Sequence, residues 1–164
     1  MDNELNALSA ATGALLLERG WMLATAESCT GGWIAEVITA TAGSSRWFDC
    51  GIVSYSNAAK QSLLGVSPDT LREHGAVSEQ TVREMASGAI ARSHAELALA
   101  VSGIAGPGGA APGKPVGTVC FAWASRGRPP LSETLRFDGD REAVRRQTVI
   151  HALKALPRLI DAPT

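Results

Sequence analysis

The stretch Glu96-Leu97-Ala98-Leu99-Ala100-Val101-Ser102 is apolar from Leu97 to Val101, the pattern of a central strand covered on both faces. A glycine- and proline-rich loop, Gly103 to Pro115, follows it, and Val116 to Ser125 then reads as a second strand. A turn through Gly127 and Pro130 leads to a strand near Glu133 to Phe137, and so short a link joins antiparallel neighbours. Upstream, Leu5, Leu8, Ala11, Leu15 and Leu16 follow helical spacing from Glu4 to Arg19, with Gly20 as the stop. Residues 21–27 read as a buried strand, 31–41 as a helix, Phe48 to Tyr55 as a strand and Asn57 to Leu64 as a helix. Gly65 to Asp69 turns into a short helix, Thr70 to His74, and Ser78 caps a longer one that runs to about Ser93. The last helix spans Arg141 to Ile160, with Pro157 breaking or bending its end. Strands alternating with helices predict an α/β fold of three layers, α/β/α, around a mixed, mostly parallel five-stranded sheet. The 164 residues are expected to form a single domain, 1–164.

The composition narrows the partners. Charged residues make up 19%, hydrophobic ones 45%, and the net charge is −1, which argues against broad attraction to nucleic acid or to a membrane surface. A small-molecule partner is expected. Cys29, Cys50 and Cys120 are widely spaced and form no C-x-x-C pair, so neither a disulfide framework nor a metal site is expected. No basic-then-apolar leader opens the chain, and no apolar run approaches the roughly 20 residues that span a bilayer. A reduced, cytoplasmic setting is the expectation. The apolar face from Leu5 to Leu16 reads either as core or as the interface of a homodimer.

The chemistry concentrates in Thr25-Ala26-Glu27-Ser28-Cys29-Thr30-Gly31-Gly32, where a strand turns into a helix. Unpaired N–H groups at such a junction can hold an oxyanion or phosphate. Ser28 there can attack, or it can cap the helix, and Thr30 can cap as well. A serine nucleophile needs a base. His74, His94 and His151 lie in no recognisable catalytic context, which leaves a lysine of lowered pKa. Lys60 is the candidate, because Tyr55-Ser56-Asn57-Ala58-Ala59-Lys60 sets it one helical turn beyond the carboxyl end of a neighbouring strand, the edge where open α/β sheets bind ligands. Tyr55 either orients the proton transfer through its hydroxyl or is a strand-end aromatic half buried against the sheet. The N–H groups of Thr30, Gly31 and Gly32 are candidate oxyanion donors. Cys29 has no cation near it in sequence and reads as a small buried thiol. Ser102, at the mouth of Gly103-Ile104-Ala105-Gly106-Pro107-Gly108-Gly109, is a candidate ligand-binding hydroxyl, with Gly106 and Gly108 allowing close backbone approach; a surface loop is the other reading.

Four blocks together, Ala26 to Gly32, Gly51 to Lys60, Gly75 to Ser78, and Ser102 to Gly109 followed by Lys114 to Val119, closely resemble the CinA C-terminal domain family over nearly the whole chain. The resemblance implies hydrolysis of the carboxamide of nicotinamide mononucleotide to nicotinic acid mononucleotide and ammonia, in pyridine nucleotide salvage. It implies Ser28 as nucleophile, Lys60 as base and Tyr55 as its hydroxyl partner, with no metal or organic cofactor. Phe137 to Arg141 with Val144-Arg145 also resembles the family's start to the last helix. Arg141 and Arg145 stand one turn apart, where they either face one phosphate or form a solvated helix face. Ser102 stands where the family pattern leads one to expect threonine, a change that keeps the hydroxyl. The alternatives to amidase action on this nucleotide are a non-catalytic nucleotide-binding regulatory module and an amidase for another amide-bearing molecule.

Overall fold

In the computed structural model, which describes residues 2–160, five strands stand in the order β2-β1-β3-β4-β5. These are β1 (Leu23–Glu27), β2 (Phe48–Val53), β3 (Leu97–Gly103), β4 (Thr118–Ser125) and β5 (Leu131–Arg136). β1 pairs in parallel with both β2 and β3, whereas β4 runs antiparallel to β3 and β5 antiparallel to β4. Only β4 therefore runs against the rest. The apolar stretch Leu97 to Val101 lies in the middle strand, β3, as its two-sided burial requires.

The helices are α1 (Asn3–Arg19), α2 (Trp33–Thr39), α3 (Asn57–Leu64), α4 (Pro68–His74), α5 (Glu79–Ala91), α6 (Arg141–Lys154) and α7 (Leu156–Ile160). Gly20 ends α1 in the left-handed conformation, and Ser56, Ser67, Ser78 and Asp140 cap α3, α4, α5 and α6 through their side chains. The final helix expected over Arg141 to Ile160 is two helices, parted at Ala155 just before Pro157. A proline within a helix removes one backbone donor and crowds the turn before it, so the chain restarts a helix with Pro157 in its first turn.

The sheet separates two cores by side-chain size. Leu23, Leu97, Leu99, Val101, Phe121 and Trp123 point to one face, with apolar residues of α1, α2, α6 and α7. Ala24, Ala26, Ala98, Ala100, Ala122 and Ala124 point to the other, toward Val82, Met85, Ala86 and Ala89 of α5. The small residues let α5 approach closely. Its Gly88 lies against α3, where a methyl group would stand 1.9 Å from the Leu64 carbonyl oxygen. The alternation of leucine and alanine in β3 thus sets how far each helical layer stands from the sheet.

α1 corrects one expectation. Its buried face is Leu5, Ser9, Thr12, Gly13 and Leu16, with Ala11 exposed and Leu8 and Leu15 only partly buried. Ser9 Oγ donates to the Ile38 carbonyl at 3.2 Å and lies 2.6 Å from Thr41 Oγ1, while Gly13 makes room for the buried indole of Trp47. Close packing on α2 and Trp47 selects small residues over the larger leucines. The Leu5 to Leu16 face enters the core through its ends, Leu5 and Leu16.

Candidate active site

The junction after β1 carries the site. The N–H of Ser28 still donates to the Val101 carbonyl at 3.1 Å, and that of Ser54 to the Glu27 carbonyl at 2.8 Å, so the ladders extend one residue past each strand end. Alternation places Ser28 on the face of Ala24 and Ala26, the α3 and α5 side, and Glu27 on the opposite side, under α2. One step along the register that pairs Glu27 with Val101, Ser28 stands alongside Ser102.

Glu27 settles which residue caps α2. Its carboxylate is fully buried and accepts from Thr30 Oγ1 at 2.5 Å, from the Ile34 N–H at 2.9 Å and from the Ala35 N–H at 3.0 Å. The first free donors of α2 are therefore taken from below by a strand residue, and the N-cap position itself, Gly32, is in a left-handed conformation without a side-chain cap. Neither Ser28 nor Thr30 caps the helix. Glu27 is the functional residue that motif and spacing leave unmarked. The signal was there: a carboxylate at the end of a buried strand, just ahead of a helix start, is costly unless it takes up such orphan donors.

Freed from capping, Ser28 Oγ receives Lys60 Nζ at 2.9 Å. α3 brings the lysine, which is 1% exposed, and its Nζ also donates to the carbonyls of Ser54 at 3.1 Å and Tyr55 at 3.0 Å. Among the described residues no carboxylate lies within ion-pair distance of it. Burial without a counter-charge holds the Lys60 pKa below the ordinary lysine value. Cys29, next in the turn, is pushed the other way, to about 12, by burial first and by the nearby Glu27 charge as well. A thiol so placed is a packing residue and not a nucleophile.

Tyr55 departs from expectation. It meets Lys60 through its main-chain carbonyl; its side chain is 62% exposed and its hydroxyl accepts from Arg141 Nη2 at 3.1 Å. The half-buried strand-end aromatic is therefore also absent. Ser54, not singled out in the sequence, contributes the second carbonyl, and its own Oγ is buried without a hydrogen-bond partner.

The expected oxyanion trio divides. The Gly31 N–H turns back to the Ser28 carbonyl at 3.0 Å, whereas no acceptor among the described residues takes the N–H of Thr30 or of Gly32. Arg145 of α6 donates through Nε to the Cys29 carbonyl and through Nη2 to the Thr30 carbonyl, both at 3.0 Å, and lies over the Trp33 ring. Arg141 donates from Nη1 to the Gly106 carbonyl at 2.8 Å, tying the glycine-rich loop to Tyr55. That loop is also pinned where the Gly117 N–H meets the Ile104 carbonyl and where Lys114 Nζ meets the His74 carbonyl. Gly106 packs under Val116, and Gly108 faces open space. Ser102 is buried.

Two openings flank this constellation. One, of about 510 Å³, is lined by Trp33, Arg141, Glu142 and Arg145. The other, about 560 Å³, lies over β4 and β5 between the α5 start and Lys114, with Thr118, Cys120 and Thr134 in its floor. Ser28 and Lys60 line neither. The Arg141 opening is the one in direct contact with the Ser28 turn, through Arg145. No group of three or more potential metal-ligating side chains is present among the described residues.

The profile of the CinA C-terminal domain matches residues 5–160. The chain belongs to that family. It is 52% identical to the nicotinamide-nucleotide amidohydrolase PncC of Escherichia coli K12 over 155 residues, covering 94% of each chain. It is 55% identical to a putative competence-damage inducible protein of Symbiobacterium thermophilum over 161 residues, but it spans 38% of that protein's length. A crystal structure of competence damage-inducible protein A from Klebsiella pneumoniae superposes with a TM-score of 0.94 at 44% identity, over 98% of this chain and all of that one. Similarity to the short and the long proteins alike places the shared domain here. No described helix is long and apolar enough to cross a membrane.

Proposed function

We propose that this CinA-family domain is a serine amidase that hydrolyses the carboxamide of nicotinamide mononucleotide to nicotinic acid mononucleotide and ammonia, a step of pyridine nucleotide salvage in the cytoplasm. The observation that carries the reading is the buried Lys60 amine, 2.9 Å from Ser28 Oγ and faced otherwise by two carbonyls. A neutral amine has two protons and one lone pair. With both protons given to the Ser54 and Tyr55 carbonyls, the lone pair is left for the Ser28 hydroxyl proton. Two carbonyls accept and cannot donate, so they orient a neutral amine for service as a base.

Lys60 takes the Ser28 proton as Oγ bonds to the carboxamide carbon. The carbonyl oxygen becomes an oxyanion held by the N–H groups of Thr30 and Gly32. The tetrahedral centre collapses, its C–N bond breaks, and Lys60 returns the proton to the leaving nitrogen, which departs as ammonia. Water then attacks the acyl ester, giving one proton to Lys60; the ester C–O bond breaks, that proton passes to Ser28 Oγ, and the carboxylic acid leaves, losing its own proton to solvent to become the carboxylate. Arg141, at the rim beside Tyr55 and the Gly106 carbonyl, is the cation we assign to the substrate phosphate. Ser102 and the open backbone at Gly108 are assigned to the nucleoside side of the ligand.

The test is ammonia release from nicotinamide mononucleotide by the native protein, Ser28→Ala and Lys60→Ala. Turnover lost in both variants supports the mechanism. Binding without turnover by the native protein refutes it in favour of a regulatory module, and turnover retained by Ser28→Ala refutes the nucleophile.

A further inference from the structure

We infer that Arg145 is a positioning residue which aims the oxyanion-binding amide of Thr30, and that it is not a phosphate ligand. The inference rests on the amidase reading and deepens it. Arg145 reaches the nucleophile turn from α6, which packs on the sheet face opposite the one that carries Ser28 and Lys60. Two of its donors end on consecutive carbonyls, Cys29 and Thr30, each at 3.0 Å. In a trans peptide the carbonyl and the following N–H point in opposite directions from one plane. Holding the Cys29 carbonyl toward α6 therefore turns the Thr30 N–H away from α6, toward the face where Ser28 attacks. Holding the Thr30 carbonyl does the same for the Gly31 N–H, which is seen closing on the Ser28 carbonyl at 3.0 Å.

The Thr30–Gly31 peptide is also held by the backbone, its carbonyl accepting from the Trp33 N–H at 3.0 Å and its N–H donating to the Ser28 carbonyl, whereas among the described residues the Cys29 carbonyl, whose plane carries the Thr30 N–H, is held by Arg145 alone. Gly31 and Gly32 both have positive φ and add little rigidity of their own. Glu27 holds the Thr30 side chain and the start of α2 from below but touches neither carbonyl. Arg145 is itself held by its position over Trp33. A guanidinium is suited to the task, since its planar fork grips two neighbouring oxygens at a fixed angle and keeps its charge at every working pH. That charge, set behind the two peptide units, also polarises the Thr30 N–H toward a developing oxyanion.

The experiment compares native protein, Arg145→Gln and Arg145→Lys on nicotinamide mononucleotide and on nicotinamide riboside, which lacks the phosphate. Arg146→Gln is the control, because that guanidinium pairs with Asp2 and Glu4 at the surface. Thermal unfolding confirms that each variant is folded. A positioning role lowers kcat by about 100-fold in Arg145→Gln, by the same factor on both substrates, with KM little changed. Arg145→Lys, able to reach one carbonyl, recovers part of the loss. A loss confined to the phosphorylated substrate, or carried in KM, makes Arg145 a phosphate ligand and overturns the inference, as does an unchanged kcat. If the riboside is not turned over, the split between kcat and KM on the nucleotide decides. If the native protein releases no ammonia from either compound, the amidase reading fails, and the rate at which a fluorophosphonate labels Ser28, followed by intact mass, tests the inference separately. Slower labelling in Arg145→Gln than in the native protein supports it, and equal labelling overturns it.

Discussion

Replacing Lys60 with methionine separates its chemical role from its packing role, because methionine fills a similar volume without an amine. Removing a positioned general base costs about 10²- to 10⁴-fold in rate, equivalent to about 3–5 kcal/mol of transition-state stabilisation. Stability responds differently. The Ser54 and Tyr55 carbonyls each lose a donor, at about 1–3 kcal/mol apiece, while the cost of holding an unpaired cation in a buried site disappears. These changes oppose each other, so a variant that unfolds near the native midpoint yet has lost its turnover is the expected outcome. The pH dependence supplies the sharper check. Burial lowers the Lys60 pKa in the folded state relative to the unfolded chain. Between the folded and unfolded values the unfolded chain binds the extra proton, so stability rises with pH through that window, and the penalty is present in full below it. The native rate should climb with pH through the folded Lys60 pKa and level off before the ordinary lysine range, since only the neutral amine accepts the serine proton. Coupled measurement of ammonia release across pH, with urea unfolding of both proteins in the same buffers, reads both quantities. A native rate that is flat or falling as pH rises, or a Lys60→Met rate within tenfold of native, would refute the assignment of Lys60 as base. Urea midpoints of the two proteins that shift in parallel with pH would refute the burial argument.

Tyr55→Phe keeps the carbonyl that holds Lys60 and loses only the hydroxyl on Arg141, so kcat should stay within about threefold of native while KM for the nucleotide rises; a 100-fold fall in kcat would return the hydroxyl to the proton transfer. Ser54→Ala removes a buried hydroxyl without a partner and should change unfolding free energy by less than about 1 kcal/mol in urea titration, with activity retained. Cys29, its pKa raised to about 12, should resist iodoacetamide at pH 8 in the folded protein and react once unfolded, as read by mass. Gly88→Ala drives a methyl group into the Leu64 carbonyl and should cost about 1–3 kcal/mol or more, visible as a lowered urea midpoint.

Fold class, strand number and the central position of β3 were legible because burial on two faces and short connections leave their mark on hydrophobic pattern and loop length. The turn that carries Ser28 was legible as well, since Ser28 and its glycines lie together in the chain. The partners of that turn were less so. Lys60 stands out in the sequence by its place one turn past a strand end, but the groups that hold its Nζ are main-chain carbonyls, and a carbonyl has no residue identity to read. Tyr55 stands out in the sequence for its hydroxyl, whereas in the structure it meets Lys60 through its backbone carbonyl, for the same reason. The α1 stripe misled because close approach of Trp47 and α2 favours glycine, serine and threonine, which hydrophobic periodicity does not count.

By itself the amino-acid sequence determined an α/β/α chain with a serine at a strand-to-helix junction and a lysine able to reach it, because periodicity and adjacency are local properties. Tertiary structure alone decided that Glu27 and not Ser28 caps α2, that Lys60 is buried among carbonyls without a counter-charge, and that Arg145 grips the turn from the far side of the sheet. Direction and desolvation arise only when distant segments close around one point, and those two properties are what the proposed roles of the Ser28 hydroxyl and the Lys60 amine rest on.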